Sequence, residues 1–113
     1  MNRAFVHLVR SGVLLAAAVS LFSSPVRAQT DGGSLFKAKC AACHGPDGKG
    51  QVPMGKTLGA RDLTSAEVQK QTDAELTELV SKGKKKMPAY ETKLSKEQIA
   101  QLVGYIREIG KKH

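Results

Sequence analysis

The chain has 113 residues, which leaves room for one small domain and not for a sensor with a separate output domain. Its 18 lysine and arginine residues outnumber 10 acidic ones, and this modest positive charge gives no support to nucleic-acid binding. Two cysteines allow at most one disulfide, and no tryptophan is available to build a core.

The N-terminal segment has the order of a secretory signal peptide. After a basic start, an apolar run extends over residues 13–22, and Val26 and Ala28 supply the small residues of a cleavage site. A membrane-spanning helix needs roughly 20 apolar residues, so this short run makes an uncleaved anchor the weaker alternative. We therefore expect a cleaved signal peptide over residues 1–28, a mature domain over residues 29–113, and a periplasmic or otherwise extracytoplasmic location.

The expected mature domain is short of core-forming residues. Of its 85 residues, 19 are large and apolar, and its aromatic residues are Phe36, Tyr90 and Tyr105. Small domains bury a modest fraction of their surface and usually need a disulfide, a metal or a cofactor to be stable. The composition therefore predicts that an apolar group from outside the sequence completes the core.

The first predicted helix follows a polar leader. It begins after Asp31 or Ser34, either of which can serve as the N-cap. The helix carries Cys40 and Cys43 one turn apart, so that both side chains lie on one face. Four glycines and two prolines then predict a loop without regular structure over residues 44–58.

Two further helices are expected in the middle of the chain. A short one follows Thr64. A clearer one begins at Thr72, whose spacing to Glu75 is that of a capping box, and it ends at Gly83. The loop that comes next is fixed by Pro88.

The last predicted helix is the longest. Ser95 and Gln98 form a second capping-box pattern, apolar residues recur at helical spacing between Ile99 and Ile109, and Gly110 ends the helix. No strand pattern is present. The sequence therefore predicts an all-α domain of three to four short helices, and loops this long in so small a domain indicate that they wrap around something.

The stretch CAACH, residues 40–44, carries the clearest chemical signal. Cys-x-x-Cys followed by His indicates covalent attachment of a c-type haem. Two thiols one helical turn apart can add to the two vinyl groups at one edge of a porphyrin, and His44 can then bind the iron. Three alternatives are weaker. A thioredoxin-like dithiol is typical of a βαβ unit, for which no strand is predicted. A zinc site would need terminal His113 as its fourth ligand, and a disulfide that closes so short a loop stabilises little.

The second axial ligand of the iron is predicted to be Met87. It lies on a loop braced by Pro88 between two helices, and methionine ligation raises the reduction potential. Met54 lies close behind His44 in the chain, so it is expected to fill a gap in the core instead. Metal-bound histidines usually donate their second ring N–H, and the carbonyl of Pro53 is a candidate acceptor, an ordinary turn proline being the equal alternative.

Together, CAACH at residues 40–44 and Met-Pro at residues 87–88 make the chain resemble the class I c-type cytochromes, small single-haem electron carriers. The resemblance covers essentially the whole expected mature domain. It implies a small cytochrome c-like fold around one covalently bound haem c with its iron. The residues that it assigns to the cofactor are Cys40, Cys43, His44 and Met87.

The resemblance also implies that the first and last helices cross. Gly32 and Phe36 on the first helix are expected to face Leu102 and Tyr105 on the last. Gly104 either lets the helices approach or is a tolerated helical glycine. The segment between residues 51 and 62 does not follow the family pattern, which leaves three candidate partners for the haem propionates: Tyr90, Lys56 and Arg61.

The function that this reading predicts is electron transfer and not catalysis. A six-coordinate haem cycles between Fe(II) and Fe(III), and the protein supplies orientation, potential and a docking face for redox partner proteins. The domain is expected to be a monomer. Its partners are expected to have acidic docking faces, attracted by Lys82, Lys84, Lys85 and Lys86. A haem peroxidase or a redox sensor with a labile sixth ligand is the alternative, but it would need distal acid–base groups.

Overall fold

The computed structural model describes residues 31–113, and the expected signal peptide over residues 1–28 lies outside them. Within the described residues, no helix has the length and apolar character to cross a membrane. The predicted all-α class is confirmed, because these residues contain no strand beyond one isolated bridge. The helices are α1 (Gly32–Lys39), α2 (Ala41–His44), α3 (Pro53–Leu58), α4 (Ala66–Gln69), α5 (Asp73–Lys82) and α6 (Lys96–Gly110).

Helices α1 and α6 cross at the point that the sequence indicated. The Asp31 carboxylate caps α1 by accepting a hydrogen bond of 2.8 Å from the backbone N–H of Ser34. The rings of Phe36 and Tyr105 lie with their centroids 5.1 Å apart. Gly104, in contrast, faces open space, so it is a tolerated helical glycine and takes no part in the crossing.

The helix that was expected to carry both cysteines is broken into α1 and α2. The break lies at Cys40, where φ is −120° and ψ is −33°. Backbone hydrogen bonds continue on both sides of it, since Cys40 donates to the Phe36 carbonyl and His44 donates to the Cys40 carbonyl. The break therefore interrupts the helix at Cys40 while backbone hydrogen bonds still connect its two parts.

Helix α3 corrects the prediction of a loop without regular structure over residues 44–58. Pro53 occupies the first turn of α3, where its fixed φ suits the helix and its missing N–H costs nothing. Gly59 ends the helix in the left-handed conformation, with φ at 69°. Pro53 was interpreted from the sequence as a residue that breaks helices, whereas in the structure it begins one.

Helices α4, α5 and α6 begin where their caps predict. Ser65 caps α4, and complete capping boxes start α5 at Thr72 and α6 at Ser95. The expected apolar face of α6 is buried in full, through Ile99, Leu102, Val103, Ile106 and Ile109.

A polar connection fixes α6 against the junction of α4 and α5. Arg107, on α6, forms an ion pair of 2.9 Å with Asp73 and donates hydrogen bonds to the backbone carbonyls of Gln69 and Gln71. The Gln69 side chain donates in turn to the Ile106 carbonyl at 3.1 Å. These bonds hold the segment before α5 in place beside the core.

The core is divided into two clusters of buried side chains. One contains Leu35, Phe36, Val80, Leu94, Ile99 and Leu102, and the other contains Val68, Leu76, Val103 and Ile106. Members of both clusters line a single cavity. The space predicted for a group from outside the sequence therefore exists, and it lies between the two halves of the core.

Candidate functional site

The cavity between the core clusters brings together the residues that the sequence singled out. Its volume is about 410 Å³, within the range of roughly 300–1,000 Å³ that is usual for cofactor sites. Its wall includes the side chains of Cys40, Cys43, His44 and Met87. Most of the remaining wall is apolar, with Phe36, Val68, Leu76, Val80, Leu102 and Ile106 contributing.

The two cysteines are partly buried and are not bonded to each other. Burial, with a smaller contribution from neighbouring Cys43, raises the pKa of the Cys40 thiol to about 11. A redox-active dithiol needs a cysteine whose pKa is lowered, because the thiolate is the nucleophile. The surroundings of Cys40 therefore do not suit a thioredoxin-like dithiol, and the thiols are available for another reaction.

His44 is held by the backbone of the segment between α3 and α4. Its Nδ1 lies 3.0 Å from the carbonyl oxygen of Arg61, and a carbonyl can only accept, so Nδ1–H donates. This fixes the tautomer and leaves the lone pair on Nε2 free for a metal. The prediction that the Pro53 carbonyl accepts this hydrogen bond was wrong. The Pro53 carbonyl instead accepts a hydrogen bond from the Thr57 hydroxyl within α3.

The charge state of His44 suits metal binding. Burial lowers the pKa of its imidazole, and the hydrogen bond to the Arg61 carbonyl opposes that shift in part. The ring is therefore neutral at pH 7, and the neutral form is the one that coordinates a metal.

The backbone around the Arg61 carbonyl is held on both sides. Before Arg61, the Ala60 N–H donates a 2.8 Å hydrogen bond to the Gly55 carbonyl of α3. After it, the Leu63 N–H donates a 2.8 Å hydrogen bond to the Gly48 carbonyl, which connects this segment to the loop after α2. Sequence reasoning missed this acceptor because Arg61 lies 17 residues beyond His44 and a backbone carbonyl leaves no mark in the sequence.

Met87 reaches the cavity from a tight turn that follows α5. It is partly buried and packs against the first core cluster. Met54 is 54% exposed on α3 and does not line the cavity, so the expectation that it fills a gap in the core was wrong. Of these two methionines, only Met87 is placed where its sulfur can meet a group bound in the cavity.

Tyr90 connects the Met87 segment to the cysteine segment. Its hydroxyl donates a hydrogen bond of 3.0 Å to the carbonyl of Lys39, directly before Cys40. Burial raises the pKa of Tyr90, so this hydroxyl keeps its proton at neutral pH. Of the three candidate propionate partners, Tyr90 and Arg61 line the cavity and Lys56 does not.

The lysine run lies at the rim of the cavity. Lys84, Lys85 and Lys86 are exposed and line it, and none of them takes part in the ion pairs of the described part of the chain. Lys82 differs from them, because its ammonium forms a 2.7 Å ion pair with Glu91. Lys39 also lines the cavity, is exposed and is in none of these ion pairs, so the positive charge at this rim that is not in an ion pair comes from residues 84–86 and from Lys39.

The donor set fits a haem better than a bare metal ion. Among residues 31–113, no group of three or more His, Cys, Asp and Glu side chains is arranged to hold a metal ion. Two thiols, an imidazole with a free Nε2 and a thioether instead share one apolar cavity. This combination suits a large, flat, apolar cofactor with iron at its centre.

Comparison with known proteins points the same way. A family model described as "Cytochrome C oxidase, cbb3-type, subunit III" matches residues 27–106. Cytochrome c6 of Leptolyngbya boryana is 38% identical over 81 residues, which cover 72% of this chain and 92% of that protein. Cytochrome c6 of Gloeothece citriformis is 36% identical over 107 residues, covering 90% of this chain and 94% of that protein.

Solved structures of similar proteins have the same fold. The KustC0563 c-type cytochrome superposes with a TM-score of 0.65 at 34% identity, covering 70% of this chain and 96% of that chain. A point mutant of that protein gives a TM-score of 0.64 at 36% identity. The chain therefore belongs to the class I c-type cytochromes, electron carriers that hold one haem c covalently.

Proposed function

We propose that this cytochrome transfers single electrons between redox partner proteins outside the cytoplasm, with its haem held by Cys40, Cys43, His44 and Met87. When bound, the haem supplies an iron that alternates between Fe(II) and Fe(III). The observation that carries the proposal is the meeting of both thiols, the oriented imidazole and the Met87 thioether at one cavity.

The two cysteines would hold the haem covalently. Each thiol would add across one vinyl group of the haem, with its sulfur bonding to one vinyl carbon and its hydrogen to the other. The short helix α2 keeps the two sulfurs on one side of the cavity, since the backbone N–H groups of Cys43 and His44 both donate to the Cys40 carbonyl. Attachment at this point leaves the adjacent imidazole next to the iron.

Both residues proposed to bind the iron would influence its reduction potential. The hydrogen bond from Nδ1 of His44 to the Arg61 carbonyl orients the ring and strengthens it as a ligand. Met87 would supply a soft, neutral sulfur that favours the ferrous state and so raises the reduction potential. The protein would therefore set the reduction potential through both residues that hold the iron.

A carrier is favoured over a haem peroxidase. A peroxidase needs an open iron site and distal groups that can move protons. Among the described residues that line the cavity, His44 is the one histidine, and it faces the Arg61 carbonyl. With Met87 as sixth ligand, the iron has no open position for peroxide.

Exchange of Met87 tests the proposed ligation, and Met54 provides a matched control. In the oxidised holoprotein, Met87→Ala should abolish the absorption band of sulfur–iron charge transfer and lower the reduction potential. Met54→Ala removes an exposed thioether on α3 and should leave both unchanged. A band that survives Met87→Ala would refute Met87 as the ligand.

Partner docking would use the cavity rim formed by Lys84, Lys85 and Lys86. Electron-transfer encounters are small and transient, and charge steers them more than contact area does. Three exposed ammonium groups beside the haem cavity would attract an acidic face on the partner and bring it close to the haem. The cytochrome itself would act as a monomer.

A charge-matched pair of triple variants tests this docking face. Replacing Lys84, Lys85 and Lys86 with glutamine should slow reduction by an acidic partner about tenfold at low ionic strength and flatten its salt dependence. The same change at Lys37, Lys70 and Lys111, which do not line the cavity, removes equal charge and should have a smaller effect. Equal effects of both triple variants would refute a specific docking face.

The location follows from the N-terminal segment. Residues 1–28 would direct export and be removed, leaving residues 29–113 as the mature periplasmic or otherwise extracytoplasmic protein. Intact-mass measurement of the exported protein tests this directly. The expected mass is that of a chain starting at Gln29 plus one haem, and a mass that retains the N-terminal segment would refute cleavage.

A further inference from the structure

The backbone before Met87 forms a tight turn with two residues at its centre. Lys84 and Met87 exchange both backbone hydrogen bonds, with the Lys84 N–H donating at 3.1 Å and the Met87 N–H donating at 3.0 Å. Lys85, inside the turn, has a φ of 54°, a value that residues other than glycine seldom adopt. Only two residues therefore separate the bonded pair, and the Met87 backbone has little freedom within the turn.

The turn is anchored to α5 on both sides. It follows α5 directly through Gly83, and the chain beyond it returns to the last turn of the same helix. The N–H of Tyr90 donates to the Val80 carbonyl at 3.1 Å, and the N–H of Glu91 donates to the Ser81 carbonyl at 3.1 Å. The segment that carries Met87 is therefore attached to α5 by hydrogen bonds between backbone atoms.

Gly83 is the point at which this segment packs most closely. It has a φ of 70° and a ψ of 175°, a region that is essentially restricted to glycine. A Cβ atom there would lie 2.5 Å from the Met87 carbonyl oxygen, 2.8 Å from the Pro88 carbonyl carbon and 2.8 Å from the Ala89 nitrogen. All three are backbone atoms, so a side chain could be accommodated only by moving the backbone of Met87.

We infer that Gly83 is a positioning residue for the sixth iron ligand: its missing side chain lets the Met87 backbone lie against the end of α5, which holds the sulfur at the iron. The inference rests on the proposed ligation by Met87. Gly83 does not line the cavity, yet through the Met87 backbone it would keep outside ligands away from the iron.

Gly83→Ala in the holoprotein tests the inference, with Gly104→Ala as a control. Gly104 lies on α6 and does not line the cavity, and a Cβ there meets no atom within 4 Å. The readouts are the sulfur–iron band of the oxidised protein and its affinity for added imidazole, which competes with Met87. Gly83→Ala should weaken the band and lower the dissociation constant for imidazole at least tenfold, while Gly104→Ala should stay within about twofold of the unaltered protein.

The possible results separate the inference from the proposed function. If both variants bind imidazole equally, the inference is overturned while ligation by Met87 stands. If the unaltered protein lacks the sulfur–iron band, the proposed ligation fails and the inference fails with it.

Hydrogen exchange on the unaltered holoprotein gives a second test that does not depend on the folding of a variant. The N–H groups of Met87 and Tyr90 should be protected to the same degree as those in the last turn of α5. Fast exchange at both positions while α5 remains protected would show that the segment moves independently, and would overturn the inference.

Discussion

Removal of the haem should unfold the domain. The double variant Cys40→Ala/Cys43→Ala prevents covalent attachment and leaves the cavity between the core clusters without its occupant. The cavity has a volume of about 410 Å³, so that a cost of about 24 cal/mol per Å³ gives roughly 10 kcal/mol. Water that enters through the open side of the cavity reduces this cost. Even half of the cost, about 5 kcal/mol, equals the lower end of the 5–15 kcal/mol by which domains are usually stable.

Far-UV circular dichroism of the double variant measures this effect. We expect most of the native helix signal to be lost, with no cooperative transition in urea. Met87→Ala is the matched control, because it removes an axial ligand but keeps both cysteines, and it should remain folded. Native helix content in the double variant, with a normal urea transition, would refute the claim that the haem completes the core.

Four further variants test contacts that hold the fold around the cavity. Gly32→Ala places a methyl group against a backbone carbonyl of α6 and should destabilise the holoprotein by about 1–3 kcal/mol. In Gly104→Ala the added methyl group meets no atom within 4 Å, so this variant should stabilise the holoprotein by about 0.5–1 kcal/mol. Tyr90→Phe loses the hydrogen bond to the end of α1 and should cost about 1 kcal/mol without changing the sulfur–iron band. Arg107→Ala leaves backbone carbonyls at the α4–α5 junction without their donor and should cost about 1–3 kcal/mol. Urea denaturation of the holoprotein measures all of these changes.

Each variant has an outcome that would contradict its reasoning. Equal stability of Gly32→Ala and Gly104→Ala would show that the α1–α6 crossing does not depend on close backbone approach. An unchanged midpoint in Tyr90→Phe would mean that its hydroxyl bond is matched by water. For Arg107→Ala, the contradiction would be a loss below about 0.5 kcal/mol, the range expected of an ordinary surface change.

Features encoded by neighbouring residues could be predicted from the sequence. The capping boxes at Thr72 and Ser95 lie within one helical turn, and the structure has both. The apolar spacing of the last helix depends on a single period, and the whole face is buried. The motif at residues 40–44 is equally local, since its chemistry depends on the spacing of two thiols and an imidazole.

Features that depend on distant parts of the chain were not predictable in the same way. The acceptor for His44 is a backbone carbonyl, which every residue possesses, so only the path of the chain after α3 could identify Arg61. Met54 was expected in the core because methionine often fills gaps, but its place on the short helix α3 turns it toward solvent. The same helix was missed because proline stops a helix in its interior and favours one in its first turn.

X-ray absorption at the iron edge of the oxidised holoprotein distinguishes sulfur ligands of the iron from nitrogen ligands. If the Met87 thioether and the His44 imidazole both bind the iron, the spectrum should contain one sulfur ligand in addition to nitrogen ligands. A first coordination shell made only of nitrogen or oxygen atoms would contradict ligation by Met87.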